Sequence, residues 1–337
     1  MRIAVYKDCL STGRGADRAV RNFAAGLAER GHEVALMERS EFFARVVGDA
    51  KGGAESFDVI VATGSNEIVD LDGAGYFGRA ARAKVVLQLH LAPRGFFKWR
   101  HPFRNRRIRM AFDRADSVQV LCSAYEAEFH RIARHPPVTV IGNYTEMERG
   151  EAKAPEASHV ILYPAAAINR VKNQRLLIEA FALLAAEFPA WRVRLLGKDS
   201  TPYARMCRRL VERMGLSGRV DFVGFTGDLA GEYSRAAFIA FPSTLEGFPL
   251  ALLEAARFSL TAVVHDSLPG VEDIVTAETG IVTAPDAAAY AAGLRRLMSD
   301  AALRVRLGAG ASRRCEARYD RKKILDQWEL LLENVVK

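Results

Sequence analysis

No apolar run in the chain approaches the ~18 residues that a membrane-spanning helix needs, so no transmembrane segment is expected. Cysteine is scarce as well. Cys9, Cys122, Cys207 and Cys315 lie far apart and in no metal-ligand spacing, which argues against a disulfide framework and a thiolate metal site. Reduced thiols in a cytoplasmic protein are the expectation. A charged leader followed by an apolar stretch is also missing: Met1-Arg-Ile-Ala-Val-Tyr-Lys7 goes straight into a strand pattern, so no signal peptide is expected. Negative charge is the minority sign. Against 48 Lys and Arg stand 40 Asp and Glu, giving +8 overall and a pI near 9.4. That balance favours an anionic partner, and nucleic acid, an anionic membrane surface and a phosphorylated substrate all remain open. What the chain does have is length and apolar material. Its 337 residues, 50% of them hydrophobic, suit two domains of about 150 each.

Short β-branched runs alternate with longer helical patterns throughout. Strands are predicted at 3–6, 34–37, 59–62, 85–89, 118–121 and 138–141, and again at 160–163, 193–196, 220–223, 238–241, 262–264 and 281–283. Helical patterns separate most of them, the signature of α/β units in parallel, doubly wound sheets. The strands fall into two similar sets, which predicts a domain at 1–150 and a second at 158–320. The polar, aperiodic stretch Glu146–Ser158 reads as the linker, and 324–336 as a closing helix.

The most informative stretch runs Phe241-Pro-Ser-Thr-Leu-Glu246-Gly247-Phe248-Pro-Leu250-Ala-Leu-Leu-Glu254-Ala-Ala256. It reads as a buried strand, a turn and a helix, with Pro249 suited to the first helical position. Glu254 sits among leucines and alanines. A carboxylate there costs several kcal/mol, on the order given for unpaired buried charges, unless donors reach it, and vicinal sugar hydroxyls would supply them. A second cluster is Arg170-Val-Lys172-Asn173-Gln-Arg-Leu-Leu-Ile-Glu-Ala-Phe181. Asn173 suits an N-cap, so Arg170 and Lys172 flank a helix N-terminus, a good place for a diphosphate. After the first strand comes Ser11-Thr-Gly13-Arg-Gly15-Ala-Asp-Arg18. Gly13 and Gly15 allow close backbone approach, but Arg18 occupies the position of the third glycine of a dinucleotide fingerprint. His90, at the carboxyl end of the fourth strand, stands where open α/β sheets bind ligands, although a strand-end hydrogen bond would also account for it.

The stretch Arg94–Arg109 interleaves Phe96, Phe97, Trp99 and Phe103 with seven Arg or Lys residues. Three readings stay open: a solvated helix face with the rings in the core, an interfacial segment on anionic lipid, and an RNA surface. No recognised nucleic-acid motif accompanies it, which argues against RNA.

Two glutamates eight apart on a strand–turn–helix, with the Lys172-Asn-Gln run and the segments Leu268-Pro-Gly-Val-Glu-Asp-Ile274 and Thr279-Gly-Ile-Val282, resemble the retaining, nucleotide-sugar-dependent glycosyltransferases of family 4. The resemblance covers nearly the whole chain and is most specific over 160–285. It implies the GT-B fold: two Rossmann-like, doubly wound parallel-sheet domains facing a central cleft. In such enzymes a C-terminal helix often crosses back, so 321–337 is expected on the first domain. The resemblance also implies roles. Glu254 would bind the donor ribose and Glu246 the transferred sugar, with Gly247, Phe248 and Leu250 beside them. Lys172 would hold the diphosphate, with Arg170 beside it at the same helix N-terminus; Gly13 and Gly15 would face the donor, and His90 would touch the transferred sugar. Gly197 and Phe225, at the ends of two strands, would border the nucleobase. One departure matters: where the family has Gly-Arg before its Lys, this chain has Ala166-Ala167.

The expected activity is therefore sugar transfer from a UDP- or GDP-linked donor to a cell-envelope or lipid-linked glycan, with retention and without a metal or other cofactor. A non-catalytic sugar-nucleotide or membrane-binding homologue is one rival. A dinucleotide-dependent oxidoreductase using Glu38 as its ribose acid is another, weakened by the missing third glycine.

Overall fold

The computed structural model describes residues 1–10, 15–48, 55–80, 82–97, 101–151 and 157–337. They divide into two compact units, Met1–Tyr144 with Arg321–Lys337, and Thr145–Asp320.

The first unit contains β1 (Arg2–Tyr6), α1 (Gly15–Glu29), β2 (Glu33–Met37), α2 (Arg39–Phe42), β3 (Val59–Ala62), α3 (Ser65–Gly73), β4 (Lys84–Gln88), α4 (Pro102–Phe112), β5 (Ser117–Val120), α5 (Ser123–Phe129) and β6 (Val138–Val140). Its six strands are all parallel, in the order β2-β1-β3-β4-β5-β6. β3, between its two neighbours, is an unbroken apolar run because both faces of the sheet are covered.

The second unit contains β7 (Val160–Tyr163), α6 (Gln174–Ala182), β8 (Arg192–Leu196), α7 (Pro202–Arg213), β9 (Val220–Gly224), α8 (Leu229–Arg235), β10 (Phe238–Phe241), α9 (Leu250–Arg257), β11 (Ala262–His265), β12 (Gly280–Thr283), α10 (Ala287–Ser299) and α11 (Ala301–Tyr319). Its strand order is β12-β11-β10-β7-β8-β9, again all parallel. The chain winds outward one way from β7 and the other way from β10. Between those two neighbours lies the point where strand order reverses, and ligands of open α/β sheets bind outside the carboxyl ends there. In the first unit the corresponding point falls between β1 and β3.

The closing helix α12 (Arg321–Val336) packs on α1 of the first unit. Trp328 lies 4.4 Å from Phe23 between ring centroids. A Cβ on Gly26 would fall 2.9 Å from the Leu325 methyls, so glycine permits the approach. Arg30 pairs with Asp326 and Glu329. The stretch expected to be a linker is partly docked on the second unit: the Arg257 side chain donates to the Met147 carbonyl, and Gly150 N–H to the Arg257 carbonyl.

Candidate active site

The site of the second unit is built at its reversal point. β7 delivers the loop carrying Arg170 and Lys172, and β10 delivers the loop carrying Glu246. The Lys172 ammonium lies 2.6 and 2.8 Å from the two Glu246 carboxylate oxygens, across 74 positions of sequence. The side chains are 21% and 13% exposed, so the pair is partly desolvated yet reachable from solvent.

A buried network fixes the two loops against each other. Tyr163, the last residue of β7, donates its hydroxyl proton to the Lys172 carbonyl at 2.8 Å and lies 2.7 Å from Ser243 Oγ. With the one phenolic proton used, the Ser243 hydroxyl donates the second bond. Burial, and then the Glu246 charge, push the Tyr163 pKa well above its ordinary value, so the phenol stays neutral. Thr244 sends both its N–H and its hydroxyl to the Val171 carbonyl. His265, fully buried, donates from Nε2 to the Pro242 carbonyl while Ser267 donates to Nδ1.

Arg170 points differently. It is exposed and makes no hydrogen bond or ion pair among the described residues. Asn173 does occupy the N-cap of α6, but with left-handed backbone (φ 51°) and no side-chain cap bond. The Asn169 side chain accepts from Lys172 N–H instead. Pro249 stands at the N-cap of α9 rather than inside it, because its ψ of 78° is not helical.

Glu254 is 3% exposed on α9. Tyr233 Oη donates to its Oε2 at 2.9 Å, so one of the required donors comes from the protein. Leu250 is buried, and the Phe248 ring packs edge-on against Tyr319 at 5.4 Å. Gly247 lies between Glu246 and Phe248 in the same turn.

The loops after β7, β8 and β9 form a hydrogen-bonded floor. Gly197 N–H donates to the Gly224 carbonyl, Lys198 N–H to Ala166 and Ile168 N–H to Lys198. Gly197 has φ +106°, and a Cβ there would lie 2.2 Å from the Ala165 carbonyl oxygen, so only glycine closes this floor. Phe225 follows it with 89% of its surface exposed.

In the first unit, the reversal point between β1 and β3 holds a second Lys–Glu pair. Lys7 Nζ lies 3.2 Å from Glu67, whose carboxylate also accepts from Asp8 N–H. Nearby, at the carboxyl ends of β1 and β2, an open groove of about 490 Å³ is lined by Asp8, Glu38, Arg39, Ser40 and Phe43. Glu38 accepts from the Leu10 backbone N–H. His90, two residues beyond β4, has both ring nitrogens buried and without hydrogen-bond partners among the described residues. Burial and then the Lys7 charge push its pKa down to about 3, against a weaker opposing effect of Asp17. Gly15 opens α1, and a Cβ there would meet nothing within 4 Å among the described residues. Gly13 lies outside the described residues.

The lowered His90 pKa has a measurable sign. Between about pH 6.5 and 3 the unfolded chain takes up a proton that the folded ring refuses. Stability therefore falls as pH drops through that window. At pH 5 this ring accounts for about 2 kcal/mol of lost stability relative to pH 7. Urea denaturation at both pH values should show His90→Asn losing less than the parent by about that amount. Equal losses would mean that His90 protonates freely in the folded protein.

Sequence reasoning missed Tyr163, Ser243, Tyr233, Lys7 and Glu67. Tyr163 looked like strand core, and nothing along the chain marks its hydroxyl as the joint of two loops. The sequence also contains one Asp-x-Asp, Asp70-Leu-Asp72 in α3, a spacing often used for metals. Here Asp70 is held by Tyr6 and Arg39 and Asp72 by Arg114. Among the described residues no group of three or more His, Cys, Asp or Glu is placed to hold a metal ion.

Residues 145–314 match the family described as glycosyl transferases group 1, half of the chain. The chain belongs to that family. Among its relatives, an exopolysaccharide phosphotransferase of Streptomyces coelicolor is 34% identical over 162 residues, covering 47% of this chain and 17% of that protein. The lipopolysaccharide core biosynthesis mannosyltransferase LpcC of Rhizobium leguminosarum is 31% identical over 157 residues, covering 44% and 45%. The chain thus spans less than half the length of these relatives. Among solved structures, Anabaena HepE, in complex with UDP and glucose, superposes with a TM-score of 0.81 at 20% identity, covering 99% of this chain and 100% of that one. The fold of this family member is accordingly GT-B: two six-stranded parallel sheets in an α/β chain.

Proposed function

We propose that the chain is a retaining, metal-independent glycosyltransferase of family 4. It moves a sugar from a UDP- or GDP-linked donor to a cell-envelope or lipid-linked glycan, in the cytoplasm at the inner face of the membrane. The observation that carries this reading is the Lys172–Glu246 pair at the reversal point of the second sheet, with Arg170 exposed beside it and Glu254 buried on the next helix. These are the charges that a sugar–diphosphate bond needs. Glu254 takes the ribose hydroxyls, Gly197 and Phe225 border the base, and Arg170 and Lys172 hold the diphosphate. Glu246 then turns from Lys172 toward the transferred sugar.

The bond from the anomeric carbon to the diphosphate breaks with its electron pair on the leaving phosphate, where Arg170 and Lys172 offset the charge without a cation. The acceptor oxygen attacks from the same face, and its proton passes to that phosphate. His90, neutral, orients the sugar. The groove at Asp8, Glu38, Arg39, Ser40 and Phe43 suits a polyhydroxylated acceptor, with acceptor and donor hydrogen-bonding groups beside a ring face. The names of LpcC and of the exopolysaccharide enzyme support an envelope glycan as the acceptor class.

The test is a thermal-shift screen with UDP- and GDP-sugars, followed by transfer assays with and without EDTA. A true donor at ~100 Kd adds about 2.7 kcal/mol of stability. The expected product carries the donor's anomeric configuration by NMR, at a rate that EDTA leaves unchanged. An inverted product would overturn retention, and nucleotide binding with no hydrolysis or transfer would overturn catalysis.

A further inference from the structure

Helix α4 is PFRNRRIRMAF, with four arginines and no acid. Its inward face is Ile108, Ala111 and Phe112, all buried. Phe96 and Phe97, two of the rings that the sequence offers to a membrane, turn inward too: each meets Phe112 edge-on at 6.1 Å. Trp99 lies outside the described residues. The outward face is different. Phe103 is 83% exposed and Met110 46% exposed. They are seven residues apart, two helical turns, with Arg106 and Arg107 between them at the third and fourth positions, so the four side chains form one stripe.

Arg106 and Arg107 are exposed and make no hydrogen bond or ion pair among the described residues. Arg104 is partly engaged, donating to the Phe96 carbonyl, and Arg109 stacks over the Phe97 ring. A stripe with an exposed aromatic at one end, a thioether at the other and unpaired guanidinium groups between them is poorly served by water alone. A protein partner would have to bring acids and an apolar cleft in one register. A bilayer surface of anionic headgroups over acyl chains offers both at any register.

We propose that the outward face of α4 docks on an anionic phospholipid surface, with Phe103 and Met110 entering the acyl boundary and Arg106 and Arg107 on the phosphates. This deepens the reading of a lipid-linked acceptor and rests on it for its purpose. The lipid contact itself can be measured whatever the donor chemistry proves to be.

The experiment is co-sedimentation of the full chain with vesicles of phosphatidylcholine, alone or mixed with phosphatidylglycerol. The expected result is binding to the mixed vesicles only, falling steeply between about 0.1 and 1 M salt as the Debye length shrinks from about 10 to 3 Å. Phe103→Ser with Met110→Ser should cut the partition about tenfold, and Arg106→Gln with Arg107→Gln by at least as much. Both double variants alter exposed side chains and should keep the parent's melting temperature and its affinity for UDP or GDP. Equal binding to both vesicle types, binding to neither, or α4 variants that bind like the parent would overturn the proposal. So would an RNA oligonucleotide whose binding the α4 substitutions abolish while vesicles stay unbound. A parent that binds mixed vesicles but neither nucleotide would sink the glycosyltransferase reading and leave the lipid contact standing.

Discussion

Alanine at Arg170 or at Lys172 should lower turnover 100- to 1,000-fold, the usual cost of removing one transition-state charge contact, about 2.7–4 kcal/mol. The leaving diphosphate carries about two negative charges and gains more at its distal phosphate as the sugar departs. Lys172 offers a point charge, and a guanidinium can hold two phosphate oxygens at once. By the resemblance, Ala167 stands where the family has its Arg, and Arg170, exposed on the same loop, makes no hydrogen bond or ion pair among the described residues. Lys172 is different: its charge is occupied by both oxygens of Glu246. An arriving diphosphate therefore meets Arg170 first and shares or displaces the Glu246 contact to reach Lys172. Arg170→Lys should recover only part of the loss, because it restores charge without the fork. The measurement is hydrolysis or transfer at saturating donor, with melting temperature as the folding control. An Arg170→Ala enzyme within about threefold of the parent would move the search to Arg14, Arg18 or Lys198, since the charge contact is worth far more than that.

The two glutamates should fail differently. In the proposed reading Glu254 binds the ribose, which donor and nucleotide product share, so losing it would remove uniform binding. Glu254→Gln, which keeps an acceptor for the Tyr233 hydroxyl, should weaken UDP or GDP about 10- to 100-fold, the equivalent of a charged hydrogen bond worth roughly 1.5–3 kcal/mol. Turnover at saturation should fall less. Glu254→Ala should add a fold penalty, because it leaves the buried Tyr233 hydroxyl one partner short. Glu246→Ala is the opposite case. It frees Lys172 for the diphosphate, so nucleotide affinity should hold or rise while turnover drops, the contact with the reacting sugar being lost. Calorimetric titration of each variant with UDP and GDP, set beside its rate, separates the two roles. Parallel losses of nucleotide affinity in both variants would show that the carboxylates do not divide the donor between them.

Much of this molecule is written locally. Short β-branched and apolar runs between helical patterns mark the strands to within a residue or so, most plainly in β3, β7, β10 and β11, which are apolar almost throughout because both faces are buried. The strand–turn–helix around Glu246 and Glu254 is local too, and so is the clustering of Arg170 and Lys172 before a helix. These features depend on propensity and period, which neighbouring residues set among themselves.

Strand order is not local. Lys172 meets Glu246 only because β8 and β9 wind to one side of β7 and leave its other edge for β10, 74 positions later in the pair's numbering. Tyr163 becomes a joint between loops, and Tyr233 a donor to Glu254, through the same long-range neighbours. The helix α12 has an apolar face that any apolar surface would satisfy; small Gly26 and the acids and arginines around it decide that the surface is α1. In the basic segment, composition alone treats every ring alike. The fold separates them: Phe112 takes Phe96 and Phe97 as core neighbours, and Phe103 is left outside, since one helix face can be buried only at the expense of the other.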